Sequence, residues 1–337
     1  MKYDVITIGD ASEDIFIRPE GLRIQKSRKF VGGQAVEIEL GEKIPVAESF
    51  YSAGGSALNT AVGLSKLGLK SSPIIILGDD RAGNQILESL KNEDYDYKNV
   101  IQKKDFKTHF SVVLNVQDER SIFVYRSLDN YDVLAPKKSL QAHWIYLGPI
   151  GDHTEQLEKA IIAKAAEKNT KLAWNPGSIQ IKKGAVGYRS LLRSVSILIL
   201  NREEAIKFAN FPARQDIYRV MEILSSYGPR YVVVTNGKDG AYAYDGVLKY
   251  QIDAVNREKI DPTGAGDAFS TGFLGRIISA DINGDELNKD IMGESLKWGI
   301  INSSSVVNQI GAQKGLLDLN GIKDESAKYP RLNASVL

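Results

Sequence analysis

The sequence predicts an α/β fold: a mostly parallel central sheet with helices on both faces, and a small β-sheet beside it as a lid. Apolar runs of strand length recur at residues 3–9, 73–77, 144–148, 171–175, 196–201 and 230–236. Each is nearly continuous rather than alternating, the mark of strands buried on both faces. Helical patterns at 57–67, 81–91, 154–168, 202–210 and 216–226 fall between them. Such alternation builds a parallel sheet through right-handed crossovers. All the strand C-terminal ends then share one edge, where folds of this kind bind ligands. Residues 15–52 and 109–126 break the alternation with period-2 character and no long helix. The second reads as a hairpin turning at Gln117-Asp118-Glu119-Arg120. Together they form the expected lid segments of a single domain spanning 1–337.

Composition removes several function classes. Of 337 residues 43% are apolar, ample for a large core, and the net charge is +1 with Lys and Arg spread along the chain. No basic footprint for nucleic acid is present. There is no Cys, so disulfides, thiolate metal sites and a Cys nucleophile are excluded. The start, "MKYDVITIGD", is a buried-strand pattern rather than a signal peptide, and no apolar run approaches the ~20 residues that span a bilayer. A cytoplasmic protein without a membrane partner is the expectation. His109, His143 and His153 sit in unrelated contexts without the spacing of a helical metal pair, so a His-centred triad is not expected.

Five stretches carry the chemistry. Strand 3–9 ends in "GDASED", placing Asp10 and Asp14 just past its C-terminal end, where a carboxylate either accepts hydrogen bonds from a polyol or sits solvated in a loop. "AGGSALNTAVGLSKLG" (53–68) either sets Gly54 and Gly55 for close backbone approach to a ligand or makes a plain loop-to-helix entry. It also offers Ser56 as a helix cap and turns Asn59 toward the same ligand from the first helical turn. "SILILNREEA" ends a strand at Asn201 with Glu204 three residues on. That pair either orders metal-bound water near a phosphate or caps a helix. "VVVTNGKDGAYAY" puts Thr235, Gly237 and Gly240 on a turn that either lines a triphosphate or closes a hairpin.

No GxxxxGK[ST] occurs, and no GxGxxG follows the first strand. A P-loop is therefore absent and a nicotinamide dehydrogenase is disfavoured. "IDPTGAGDAFSTGFLGRI" (260–277) supplies another anion site. Gly264, Ala265 and Gly266 leave N–H groups open at the start of a helix, which suits charge developing on a phosphoryl group. Asp267 follows inside the first turn. A carboxylate beside a phosphate is unfavourable unless it has a task, and the natural one is to accept the proton of the attacking hydroxyl. Complementing the helix dipole would explain the Asp but not the Gly-Ala-Gly before it.

These motifs together resemble the ribokinase-like (PfkB-type) carbohydrate kinase family, over almost the whole chain and in the expected order. "GGSALNTAVGLSKLG" is similar to the family's first signature, "DPTGAGDAFSTGFL" to its second, and "NREE" to its N-x-x-E motif. The resemblance implies ATP-dependent transfer of the γ-phosphoryl group to a hydroxymethyl group of a sugar, or in the runner-up case of a nucleoside. Asp14, Gly54, Gly55 and Asn59 would hold substrate hydroxyls. Asp267 would be the base, and Gly264, Ala265 and Gly266 the anion hole. Asn201 and Glu204 would serve the magnesium and phosphate region, with Mg2+ reached from Glu204 through water. Thr235, Gly237 and Gly240 would line the ATP phosphates, with Asn302 in the adenine-side segment 301–313.

Carbonyls near Asp261, Thr263, Val306 and Gly311 would form a monovalent-cation site for K+. Ser56 stands where members acting on phosphorylated sugars often carry Lys, which argues against a phosphosugar. Lid side chains such as Phe16, Phe110, Phe123, Tyr125 and Arg126 would choose the substrate. Arg126 would either meet a substrate carboxylate or lie solvated. The lid sheet is also where two copies would pair as a homodimer. A non-catalytic sugar-binding regulator is the alternative from another class, and the intact Asp267 and anion hole argue against it.

Overall fold

Two neighbouring strands explain the unbroken apolar runs. In Ile197–Asn201 and Tyr231–Thr235, Leu198, Leu200, Val232 and Val234 enter one buried cluster. Ile197, Ile199, Tyr231 and Val233 enter a second cluster on the opposite face. Both faces are therefore covered, and no position on these strands is left for a polar residue until the edge. The structure, a computed structural model, describes residues 2–29, 33–117, 119–167, 170–212, 216–257, 260–284 and 287–337. Asp118 of the expected hairpin turn, residues 30–32 of the expected lid and Lys168 at the expected end of the third helix lie outside the described residues.

β1 (Lys2–Ile8) runs almost directly into β2 (Ser12–Pro19). The short β3 (Ile24–Lys26) and β4 (Gln34–Val36) pair with each other, and β5 (Val46–Gly54) leads to α1 (Ser56–Lys66). β6 (Ser71–Ile74) joins β1, while β7 (Ile76–Gly78) and β8 (Ile101–Lys103) pair around α2 (Arg81–Asn92). β9 (His109–Val116) and β10 (Glu119–Tyr125) form the expected hairpin. β11 (Gln141–Leu147), β12 (Lys171–Trp174), β13 (Ile197–Asn201) and β14 (Tyr231–Thr235) then alternate with α3 (Glu155–Ala165), α4 (Ser178–Lys183), α5 (Arg189–Leu192), α6 (Arg202–Phe208) and α7 (Ile217–Ser226). β15 (Ala241–Tyr244), β16 (Lys249–Ile252), α8 (Ala265–Ile282), α9 (Lys289–Val306), α10 (Leu319–Lys328) and β17 (Ser335–Val336) complete the chain.

The nine-stranded main sheet has the order β17-β16-β15-β14-β13-β12-β11-β1-β6. Its pairs are parallel from β6 through β14 and antiparallel beyond. The expected mostly parallel sheet with helices on both faces is present. The run at 73–77 is not one strand: it breaks at Ile75, and its second half pairs with β8 instead of continuing in the main sheet.

A separate four-stranded sheet has the order β10-β9-β2-β5. It begins earlier than expected, because β2 starts at Ser12. Asp14 therefore lies on a strand of the small sheet and not in a loop past β1. The chain turns at Gly9, whose φ of +150° an L side chain rarely adopts, and is re-extended three residues later.

Candidate active site

The site is built where the small sheet meets the edge of the large one. Register fixes its first carboxylate. Asp14 on β2 lies opposite Ser111 on β9 and Ser52 on β5. The Ser111 hydroxyl donates to Asp14 Oδ1 at 2.6 Å, and the Ser12 hydroxyl to the same oxygen at 3.2 Å. Gly54 makes room for this carboxylate: a Cβ there would stand 2.0 Å from Asp14 Oδ2. Asp14 is buried, and burial raises its carboxyl above the ordinary value. The two serine hydroxyls lower it, and the negative charges of Asp267 and Asp261 raise it.

The second carboxylate is held from α1. Gly264, in the left-handed region at φ +78°, caps α8, and Asp267 sits in that helix's first turn. The Ser56 hydroxyl donates to Asp267 Oδ1 at 2.5 Å, and the Asn59 amide to Oδ2 at 2.8 Å. Desolvation raises the Asp267 carboxyl and these two donors oppose the rise. Gly266 is exposed, and a Cβ there would meet nothing within 4 Å. The first N–H groups of an 18-residue helix are thus open to an anion, directly beside a carboxylate held by two donors.

Several expectations change in detail. Ser56 was expected to cap α1, but the cap is Gly55 with no side-chain hydrogen bond, and the Ser56 hydroxyl lies on Asp267 and 3.1 Å from the Tyr146 hydroxyl. Asn59, expected to hold a substrate hydroxyl, is buried. Its amide is divided between Asp267 and the Gln313 side chain, which donates to Asn59 Oδ1 at 2.9 Å. Its place is thus behind the base. Asn302, expected on the adenine side, is fully buried: it donates to the Ala268 carbonyl and accepts from Leu317 N–H. It ties α9 to α8, out of reach of a nucleotide.

The residues expected on the nucleotide side line one stretch of the edge. Asn201 and Thr235 are register partners on β13 and β14. Asn201 and Glu204 cap α6 reciprocally: Asn201 Oδ1 accepts from Glu204 N–H, and Glu204 Oε2 accepts from Asn201 N–H, both at 2.9 Å. Burial raises the Glu204 carboxyl. Gly237 and Gly240 form a turn into β15, so the hairpin reading of that stretch holds, with Gly237 open to solvent. Among the described residues no three His, Cys, Asp or Glu side chains gather as a metal cage. A lone carboxylate such as Glu204 at this edge fits Mg2+, which keeps most of its waters.

The predicted monovalent-cation turn is a different matter. Asp261 Oδ1 accepts from Thr263 N–H and from the Thr263 hydroxyl, and Asp261 Oδ2 accepts from Gly311 N–H at 3.1 Å. Arg120 Nη1 of β10 lies 3.2 Å from both Asp261 Oδ1 and Thr263 Oγ1. The Val306 carbonyl accepts from Gln309 N–H. A positive charge is already seated on the turn, and a metal ion would have to sit against it. The side chains of the turn thus already hold a cation of the protein's own.

Arg126, expected at the substrate, gives its Nε to Asp10 Oδ2 at 2.9 Å. Tyr131 donates to Asp10 Oδ1 at 2.6 Å. His109 Nδ1 lies 3.6 Å from the same oxygen, and among the described residues neither His109 nitrogen has a hydrogen-bond partner. Burial lowers the His109 pKa, the Asp10 charge raises it and Arg126 lowers it, so the ring is neutral near pH 7. Asp10, Gly55, Ser56, His109, Ser111 and Arg126 line a cavity of about 130 Å³, with Phe110 and Tyr125 stacked at 5.0 Å on its rim. Sequence reasoning missed Ser111, His109, Tyr131, Arg120 and Gln313 as parts of the site. None lies in a signature stretch, though Gln313 ends the segment 301–313, and the β2–β9 register that delivers Ser111 and His109 leaves no trace in composition.

The two-sheet fold with this edge site is that of a phosphotransferase, and comparison places it more narrowly. The model of the pfkB family carbohydrate kinases matches residues 31–317. The chain belongs to that family. It is 28% identical over 293 residues to a nucleoside kinase of Methanocaldococcus jannaschii, covering 85% of this chain and 89% of that one. It is 28% identical over 325 residues to a 5-dehydro-2-deoxygluconokinase of Halalkalibacterium halodurans, covering 91% and 89%. Its fold matches Arabidopsis thaliana ribokinase solved with ribose and ATP at a TM-score of 0.75 and 21% identity, covering 96% and 99%. Among the described residues no helix is long and apolar enough to cross a membrane.

Proposed function

We propose that the protein transfers the γ-phosphoryl group of ATP to a hydroxymethyl group of a sugar. Asp267 acts as the base, and the Gly264-Ala265-Gly266 turn receives the charge of the phosphoryl group in flight. The observation that carries this reading is the Asp267 carboxylate, fixed by Ser56 and Asn59 beside open helix N–H groups. Asp14, which feels the Asp267 charge, positions the substrate hydroxyls next to it. Thr235 and Gly237 border the ATP phosphates. Glu204 would hold Mg2+ through water, and the ion would supply neutralising charge at those phosphates. The small sheet closes over the sugar and keeps water from competing for the phosphoryl group. A nucleoside is the second reading, favoured by the Phe110–Tyr125 ring pair on the rim of the cavity, which offers a face to a base. Arg126 spends only Nε on Asp10, so its terminal nitrogens remain to meet a polar substituent of either substrate.

The test is ADP production with ATP against a panel of free sugars, sugar acids, phosphosugars and nucleosides. Turnover of at least one unphosphorylated sugar or nucleoside is expected. Turnover of phosphosugars alone would overturn the assignment of Ser56 and Asp14, and no turnover at all would favour the non-catalytic alternative.

A homodimer through the small sheet belongs to the same proposal. β10 stands at one end of that sheet and exposes Ile122, Phe123, Val124 and Tyr125, an apolar edge of the kind that invites strand pairing. Sedimentation equilibrium is expected to give a dimer, and Phe123→Glu with Val124→Lys a monomer. A wild-type monomer at every concentration removes the idea.

A further inference from the structure

We infer that Arg120 is a built-in cation for the anion-hole turn, carried by the small sheet to the place where the family resemblance sets a monovalent metal ion. This rests on the kinase reading above and goes beyond it. The turn at 260–264 opens the helix that bears Asp267, so whatever fixes the turn fixes both the anion hole and the base. Its anchor is Asp261. That carboxylate is 3% exposed, and its four donors come from three places: the turn itself, Gly311 and β10. The N–H groups of Ile260 and Asp261 are fastened to the Val307 carbonyl, and Gly264 packs so closely that a Cβ there would stand 2.5 Å from that of Ala312. The two loops are thus one unit, with a buried negative charge at its centre. An uncompensated charge there would be costly, and Arg120 is the cation that compensates it.

The pairing crosses a boundary. Arg120 sits near the start of β10, opposite Asn115 on β9. A cleft of about 590 Å³ separates this part of the small sheet from Ile260, Asp261, Pro262 and Ile310. The Arg120–Asp261 contact bridges that cleft. A bound metal ion would serve the turn whether the sheet were open or closed, whereas a guanidinium on the sheet serves it only when the sheet is in place. Closing the sheet over the substrate and ordering the anion hole thereby become one event. Arg120 is a positioning residue, since it touches the turn and not the reacting atoms. A single nitrogen, Nη1, reaches both Asp261 Oδ1 and Thr263 Oγ1, so an ammonium could make the same two contacts.

The experiment uses wild-type protein, Arg120→Ala and Arg120→Lys, in potassium chloride and in tetramethylammonium chloride at equal ionic strength. The wild type is expected to show the same phosphoryl-transfer rate and the same Tm in both salts, because an ion that bound the folded state would raise Tm by mass action. Arg120→Ala is expected to lose roughly 10–100-fold in kcat, the scale on which supporting contacts tune a site, with little change in the KM for ATP. Arg120→Lys is expected to recover most of that loss. A wild-type rate or Tm raised specifically by potassium overturns the inference. So does Arg120→Ala with an unchanged kcat, or a loss that Arg120→Lys shares in full. The melting comparison needs no turnover, so a failure of the kinase reading and a failure of this one are separately visible.

Discussion

Asp267→Asn is expected to lower kcat by roughly 10²–10⁴-fold, about 3–5 kcal/mol of transition-state stabilisation, while the protein stays folded. The site explains why folding survives. An Asn there can turn its carbonyl to the Asn59 amide and its own amide to Ser56 Oγ. Ser56 then donates its hydrogen bond to the Tyr146 hydroxyl 3.1 Å away. Both atoms of the new amide keep a partner and the proton acceptor is lost. The loss falls on kcat, because ground-state contacts to ATP and sugar survive. A carboxylate serving only the helix dipole predicts the reverse: near-normal turnover and a stability change within ~1 kcal/mol. Measuring kcat and Tm on one preparation separates the two.

The pH profile adds a second check. Desolvation raises the Asp267 carboxyl, and a base works deprotonated. The rate should fall as pH drops through that raised value, so the acid limb lies above the one an ordinary Asp would give. That limb should be absent from the residual rate of Asp267→Asn.

Asp14→Ala is expected to cost a few kcal/mol in kcat/KM for the sugar, roughly 10²–10³-fold, with the KM for ATP nearly unchanged. Removing the carboxylate leaves substrate hydroxyls without their acceptor in a desolvated site. It also strands the Ser12 and Ser111 hydroxyls that now donate to Oδ1. Burial and the nearby negative charges raise the Asp14 carboxyl, so deleting it relieves a charge that the fold holds under strain. The effect should therefore appear in sugar kinetics more than in Tm. Sugar KM and kcat equal to wild type would remove Asp14 from the substrate site.

The residues that carry chemistry were legible where the backbone itself makes the site. Gly264-Ala265-Gly266 followed by Asp267 announces a helix start with open N–H groups, because small residues and a helix terminus act locally along the chain. Gly54 and Gly55 announce a close approach for the same reason, and the unbroken apolar runs announce a sheet covered on both faces. Asn201 and Glu204 were legible only as a pair of alternatives, since the reciprocal cap and a role near phosphate demand the same two residues at the same spacing.

What faces each group was decided by packing between segments far apart in sequence. Asn59 and Ser56 read as ligand-facing or capping residues, yet α1 packs against α8 and turns both onto Asp267, 208 and 211 residues away. Asn302 read as a nucleotide contact, yet the α8–α9 interface consumes its amide. Ser111 and His109 reach the substrate side only through the register of β9 on β2, which a one-residue slip would reverse. Arg120 reaches Asp261 across 141 residues, from a hairpin whose own sequence shows nothing but alternation. The sequence by itself determined which small residues open the helix, which acid stands in its first turn and which strands are buried. Only the tertiary structure decided which donors hold that acid and which charge balances the turn, because those partners are chosen by strand register and helix packing, and neither is encoded in any contiguous stretch of the chain.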